Sequence, residues 1–419
     1  MPWITVLLVA LPFLPALNIK AGFDVASIRV VILVWFFGWI IRRAVRREPI
    51  MPTNAPALAF TALALLGVFS LLWSSEPVFA LRKSAYFLSM LPVLWMASAF
   101  TEKQKKTAFN GVLLAAILSA GVALVTFVLQ FVLGAETIAR FVTWIAPALF
   151  GTAAADAIIQ FPSWYVATSS GPLFRAFFPF PNPHTAVLFW GFGLAVALGQ
   201  KRPAIVTGVL IAAMLASFSR GGAIILVVLA ATVAIFWMLG WKRHEGKERK
   251  PITPKRFVAA GLLLFVLFVS APVLVERSIS LADVQEGSVA GRLTLWGETL
   301  SVVQAAPLLG VGLGGLANAL DPLASYRTPT NAHNTYLEIF SELGAVGITL
   351  FLIGILSTGY AVLSRGLIKS ELATVIFLAM IVYMTHAVFE SNLYYPANLF
   401  VLFVFVGAAG TMHKERVWK

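Results

Sequence analysis

The 419-residue chain has no cysteine and little charge, with Asp, Glu, Lys and Arg making up only 12% of it. The first absence excludes disulfides, thiol nucleophiles and cysteine-ligated zinc. The second excludes an ordinary soluble domain, in which about a quarter of residues are charged. No internal repeat and no low-complexity tract is visible. What fills the chain is apolar: 59% of residues are hydrophobic. Surface of that kind needs lipid as its solvent, and repeated runs of roughly 17–25 apolar residues are long enough to cross a bilayer core.

The sequence therefore reads as an all-α, polytopic membrane protein with about twelve spans. They fall near 3–19, 26–41, 55–73, 84–100, 107–133, 183–199, 203–218, 221–240, 257–275, 336–363, 372–389 and 395–412. The first run lacks a basic leader, so it is expected to remain as a span and not to be cleaved. All of 1–419 is read as one domain, with two longer external loops at 134–182 and 276–335 that carry short interfacial helices.

Net charge is +13, which could suggest nucleic acid, but its distribution argues for topology instead. Alternate connecting loops and the C-terminal tail hold 21 of the 31 Lys and Arg with six acids; the remainder of the chain holds ten with twelve acids. By the positive-inside rule the basic set faces the cytoplasm, with both termini. Nucleic acid is not expected as a partner.

The external side holds an unusual set of polar groups. "RAFFPFPNPHTAVLFW" (175–190) puts Arg175, Asn182 and His184 at the start of an apolar run, where prolines fix the backbone and Asn182 can cap the helix. "SFSRGG" (217–222) leaves Arg220 in a short turn at membrane depth, an expensive place for a cation without an anion. "AGRLTLWGETLSVVQ" (290–304) reads as an amphipathic surface helix that opens with Arg292. Segment 134–182 carries "ARFVTWIAPALFG", expected to lie in the interface with Trp144 and Trp164 at headgroup level. "GVGLGGL" (310–316) matches GxGxxG only superficially, since no strand precedes it, and is read as a flexible turn.

"HNTYLEIFSELGAVG" (333–347) begins the tenth span. Helical spacing would put His333, Leu337, Phe340, Gly344 and Gly347 on one face, with Glu338 and Glu342 on another. The glycines would let a neighbouring helix approach. Three external arginines and a histidine suit a phosphorylated, lipid-linked substrate, because guanidinium binds phosphoryl oxygens bidentately. Histidine is a suitable base for an acceptor hydroxyl. No HExxH or DxD-like arrangement appears in the external loops, so arginine can carry the charge of a diphosphate leaving group without a metal or other cofactor.

These segments resemble the O-antigen ligase superfamily of bacterial membrane glycosyltransferases. The resemblance rests on "RAFFPFPNPHTAVLFW", "SRGG", "GRLTLW" with "PLLGVGLGG", and the pattern His333, Asn334, Gly344, Gly347. It implies a fold like other lipid-carrier glycosyltransferases in the bacterial inner membrane, with a periplasmic active site. It implies an undecaprenyl-diphosphate-linked glycan as donor and lipid A–core or a growing glycan as acceptor. On this reading His333, Arg292 and Arg220 are catalytic, and Arg175, Asn182, His184, Asn334 and Glu338 contact substrate. A ligase is preferred over a polymerase. A lipid-linked oligosaccharide transporter is the reading from another class, disfavoured because the span centres hold almost no charge and the halves show no symmetry. A scaffold without catalysis is the third.

Overall fold

Helices begin where the sequence supplies a cap. The side chain of Asn54 accepts from Ala57 N, Thr101 and Gln104 form a capping box, and Asn182 and Ser370 accept from backbone N–H groups of the first turns they precede. The computed structural model describes residues 2–19, 23–160, 163–168, 171–238, 287–322, 331–364, 370–391 and 393–410. These residues are mostly helical, as expected. The helices are α1 (Pro2–Ala10), α2 (Ser27–Val45), α3 (Ala55–Phe69), α4 (Pro77–Leu88), α5 (Leu91–Ala97), α6 (Glu102–Leu133), α7 (Ala135–Phe150) and α8 (Thr152–Gln160). They continue as α9 (Pro183–Gly199), α10 (Ala204–Ala216), α11 (Arg220–Met238), α12 (Gly287–Ala305), α13 (Gly315–Leu320), α14 (Thr335–Leu363), α15 (Glu371–Ala387) and α16 (Pro396–Gly410).

Three of the described helical stretches are long and apolar enough to cross a membrane: Ala55–Leu72, Glu102–Leu133 and Thr335–Leu363. Six shorter apolar helices accompany them, so the expected twelve full crossings are not reached by the described residues. The run at 3–19 is not one span: α1 is short, and the chain then turns into an antiparallel hairpin of Ala16–Ile19 with Phe23–Ala26. The run at 84–100 is split between α4 and α5 around Ser89–Met90, with Pro92 in the first turn of the second piece. A second hairpin pairs Tyr165–Thr168 with Gly171–Phe174, so the protein is not wholly helical. The ninth expected span, 257–275, lies outside the described residues.

The core is built around α9, which is buried on every side, as an all-round apolar helix in a bundle should be. It packs against α6, α10 and α15. Trp190 Nε1 donates to Ser119 Oγ at 3.1 Å, and Asn398 Nδ2 donates to Thr185 O at 3.1 Å. Outward faces carry exposed apolar side chains such as Val34, Phe37, Ile41, Val132 and Leu356, the pattern expected of helices that meet lipid.

α14 is broken. Gly344 has φ 63° and ψ −164°, a conformation open only to glycine. Helical hydrogen bonding therefore lapses there, and the chain at 307–312 replaces it. Val311 N donates to Ser341 O and Gly312 N to Glu342 O, both at 2.9 Å, while Ala345 N donates to Pro307 O at 2.8 Å. Irregular backbone at membrane depth is tolerated only where protein satisfies it, and here it is satisfied. The "GVGLGG" turn is thus a packed splint. Gly310 and Gly344 both have positive φ, and a Cβ on either would strike the opposing main chain. Gly344 does admit a close neighbour, but that neighbour is the turn at Leu308–Leu309 and not a helix, and the same residue breaks α14.

Candidate active site

His333 does not lie on the helix face assigned to it. It precedes α14, in the left-handed region at φ 48°, while Asn334 caps the helix by accepting from Tyr336 N at 3.0 Å and Leu337 N at 3.1 Å. Two further bonds hold this corner. Trp296 Nε1 on α12 donates to Ala332 O at 2.9 Å, and Thr335 Oγ1 donates to Glu390 O at 2.8 Å. A helix exists over the expected 292–304 as α12, longer at its N-terminus, and it braces the histidine loop; the expected apolar face is not the buried one, since Leu293 and Leu300 are exposed while Thr299 and Val303 are buried.

The imidazole points at a carboxylate. His333 Nδ1 lies 2.8 Å from Glu390 Oε1, just beyond the end of α15. Burial opposes ionisation of Glu390, but the His184 ring nearby and the hydrogen bond with His333 hold its carboxyl well below the usual range, at about 2. A carboxylate only accepts, so Nδ1 must carry the proton, and the lone pair of neutral His333 falls on Nε2. That hydrogen bond is also the main cause raising the His333 pKa above its ordinary value, against burial and the repulsion of Arg292. The side chain is 43% exposed, so it is open to a substrate.

Other elements converge on the pair. His184, in the first turn of α9, has Nδ1 3.8 Å from Glu390 Oε2 and 3.3 Å from Ser219 Oγ. His386 Nε2 donates to the His184 carbonyl at 3.0 Å. Arg292 is close enough to His184, His333 and His386 to act on each electrostatically. Arg220 is the first residue of α11, after the expected tight turn in which Phe218 has φ 48°.

Three expected substrate contacts have structural partners. Arg175 is buried and donates through Nε to Ser217 O at 2.6 Å, through Nη1 to Ser163 O at 2.9 Å and through Nη2 to Phe218 O at 3.2 Å. It braces the turn that carries Arg220. Asn182 Oδ1 accepts from Thr185 N at 2.9 Å, and Asn334 acts as the cap already described. Trp164 is buried, its Nε1 donating to Pro181 O at 3.2 Å, whereas Trp144 is exposed.

Glu338 points the other way, toward α4. Lys83 Nζ lies 2.6 Å from Glu338 Oε1 and 2.6 Å from Glu342 Oε1, a buried triad that ties α4 to the first half of the broken helix. Beside it opens a cleft of about 200 Å³, lined among others by Arg82, Lys83, Tyr86, Asn331, Glu338 and Ser391. Lys83, His386 and Glu390 were not among the residues singled out from the sequence. The signal was available in "HAVFESNLYY" (386–395), a histidine and a carboxylate four residues apart where an apolar run ends.

Residues 205–352 match the family described as O-antigen ligase, Wzy_C. No curated protein matches the chain. The matched segment contains Arg220, Arg292, His333 and the break at Gly344, while Lys83, His184 and Glu390 lie outside it. Over residues 205–352, about a third of the chain, this helical membrane protein is thus similar to the O-antigen ligase family.

Proposed function

We propose that the chain transfers glycan from an undecaprenyl-diphosphate carrier to an acceptor hydroxyl at the periplasmic face of the bacterial inner membrane. The observation that carries this reading is the His333–Glu390 hydrogen bond beside Arg292. Nε2 of His333 takes the proton of the acceptor hydroxyl as its oxygen attacks the anomeric carbon. The bond from that carbon to the diphosphate breaks, and the electron pair leaves with the diphosphate. Arg292 and Arg220 meet the developing charge, so no metal is assigned to the step. Glu390 stabilises the imidazolium that forms, and Thr335 and Trp296 keep the pair in register.

The preferred acceptor is lipid A–core, which makes the protein a ligase, in keeping with the description of the matched family. The alternative is a polymerase that joins lipid-linked repeat units, favoured by the short stretch between Arg292 and His333, which leaves little loop for a large acceptor. The basic loops and tail support an orientation with both termini cytoplasmic. Purified protein given lipid-linked glycan with and without lipid A–core separates the readings. Product that requires lipid A–core makes it a ligase; a ladder of lengthened glycan without it makes it a polymerase. Neither product would overturn the assignment as a transferase.

A further inference from the structure

The cleft beside Lys83 has a composition that the reaction described above does not use. Its walls combine aromatic rings, among them Tyr86 and Tyr394, with Arg82, Asn331, Glu338 and Ser391. Lys83 gives this space little positive potential, because both Glu338 and Glu342 are bound to its ammonium. With Arg82 set against the second carboxylate, two cations and two carboxylates leave the lining close to neutral, which favours an uncharged ligand. The second oxygen of Glu338, Oε2, is buried, and among the described residues it has no hydrogen-bond partner; Ser391 Oγ shares that condition. Glu338 as a whole is only 3% exposed. A buried carboxylate oxygen calls for a donor. The cleft reaches Asn331, two residues from His333 in sequence, and Glu338 is close enough to act electrostatically on the His333 ring. Neither Arg292 nor Arg220 lines it.

We infer that this cleft binds the acceptor's pyranose ring, holding an uncharged sugar through its hydroxyl groups while the donor's diphosphate lies at the arginines. Sugar hydroxyls supply the donor that Glu338 Oε2 lacks and exchange hydrogen bonds with Asn331 and Ser391. The apolar C–H face of the ring rests on tyrosine. The cleft would so bring an acceptor hydroxyl toward the loop of Asn331 and His333. The inference rests on the transferase reading for the identity of the sugar as acceptor, but sugar binding can be measured without transfer.

The test uses the full-length protein in a detergent or amphipol without sugar headgroups. Saturation-transfer NMR is recorded with methyl glucoside, galactoside and mannoside, and inorganic pyrophosphate is titrated separately. At least one pyranoside is expected to bind wild type and His333→Ala alike. Tyr86→Ala and Asn331→Ala should each weaken that binding about tenfold or more while leaving pyrophosphate affinity unchanged. Arg292→Ala should do the reverse. Pyranoside binding with no transfer by the wild type would leave the cleft standing and sink the transferase reading. Failure of all three pyranosides to bind, binding indifferent to both cleft variants, or pyrophosphate binding lost in the cleft variants would overturn the inference.

Discussion

His333 and Glu390 are 57 positions apart, yet Nδ1 and Oε1 meet at 2.8 Å where the approach to α14 passes the end of α15. The contact fixes the tautomer of a half-exposed histidine whose backbone is itself held left-handed. Non-glycine residues occupy that region at a cost of order 1–3 kcal/mol, and they persist there only when their surroundings dictate it. Here Trp296, Asn334 and Thr335 do so.

Glu390→Gln is expected to move the acid limb of the pH–rate profile downward. Glu390 raises the His333 pKa, and the base works only when neutral, so wild-type activity falls as pH drops through a value above the ordinary 6.5 of histidine. An amide removes the charge that favours the imidazolium, so His333 stays neutral to lower pH. Total rate should fall as well, because the imidazolium formed in the step loses its stabiliser. A profile whose limb does not move would disconnect the two residues.

Lys83→Met should be strongly destabilising, by about 3–5 kcal/mol, because it strands two buried carboxylates. Adding Glu338→Gln and Glu342→Gln to it should recover much of the loss. Thermal unfolding in detergent reads both. A single variant as stable as wild type would mean that the triad contributes nothing to holding α4 on α14.

Gly344→Ala places a side chain against the Leu308 carbonyl at a glycine-only backbone conformation. A loss of more than about 3 kcal/mol is expected from strain and clash together. Gly297→Ala on α12, where a Cβ meets nothing within 4 Å, should be tolerated. Equal melting temperatures for the two would contradict the break as described.

Arg175→Lys and Arg292→Lys should fail in different ways. Arg175 donates to three carbonyls in fixed directions that a point charge cannot reproduce, so its loss should lower stability. Arg292→Lys should leave the melting temperature near that of wild type and raise the donor concentration needed for half-maximal rate. The reverse pattern would exchange the two roles.

Much of the site was legible because its residues break the local pattern. A histidine, two glutamates and an arginine stand out against apolar runs, and caps such as Asn182 announce themselves by position. What the sequence hid was pairing at long range. Nothing local to Lys83 says that two carboxylates some 255 positions away will neutralise it. Nothing in "SELGAVG" says that the glycine which admits a neighbour also breaks the helix, because the splint that satisfies the break comes from residues 307–312. Hydropathy likewise counted apolar residues without seeing that the runs are cut into short pieces near Pro12 and Pro92.

The most direct measurement is transfer from a polyprenyl-diphosphate-linked glycan by wild type and by His333→Ala, each first shown to be folded by its melting temperature. A base at this position contributes about 10²–10⁴-fold. The variant is therefore expected to lose at least a hundredfold in kcat while still binding donor through Arg292 and Arg220. A folded alanine variant that matches the wild-type rate would contradict the placing of the reaction centre at His333.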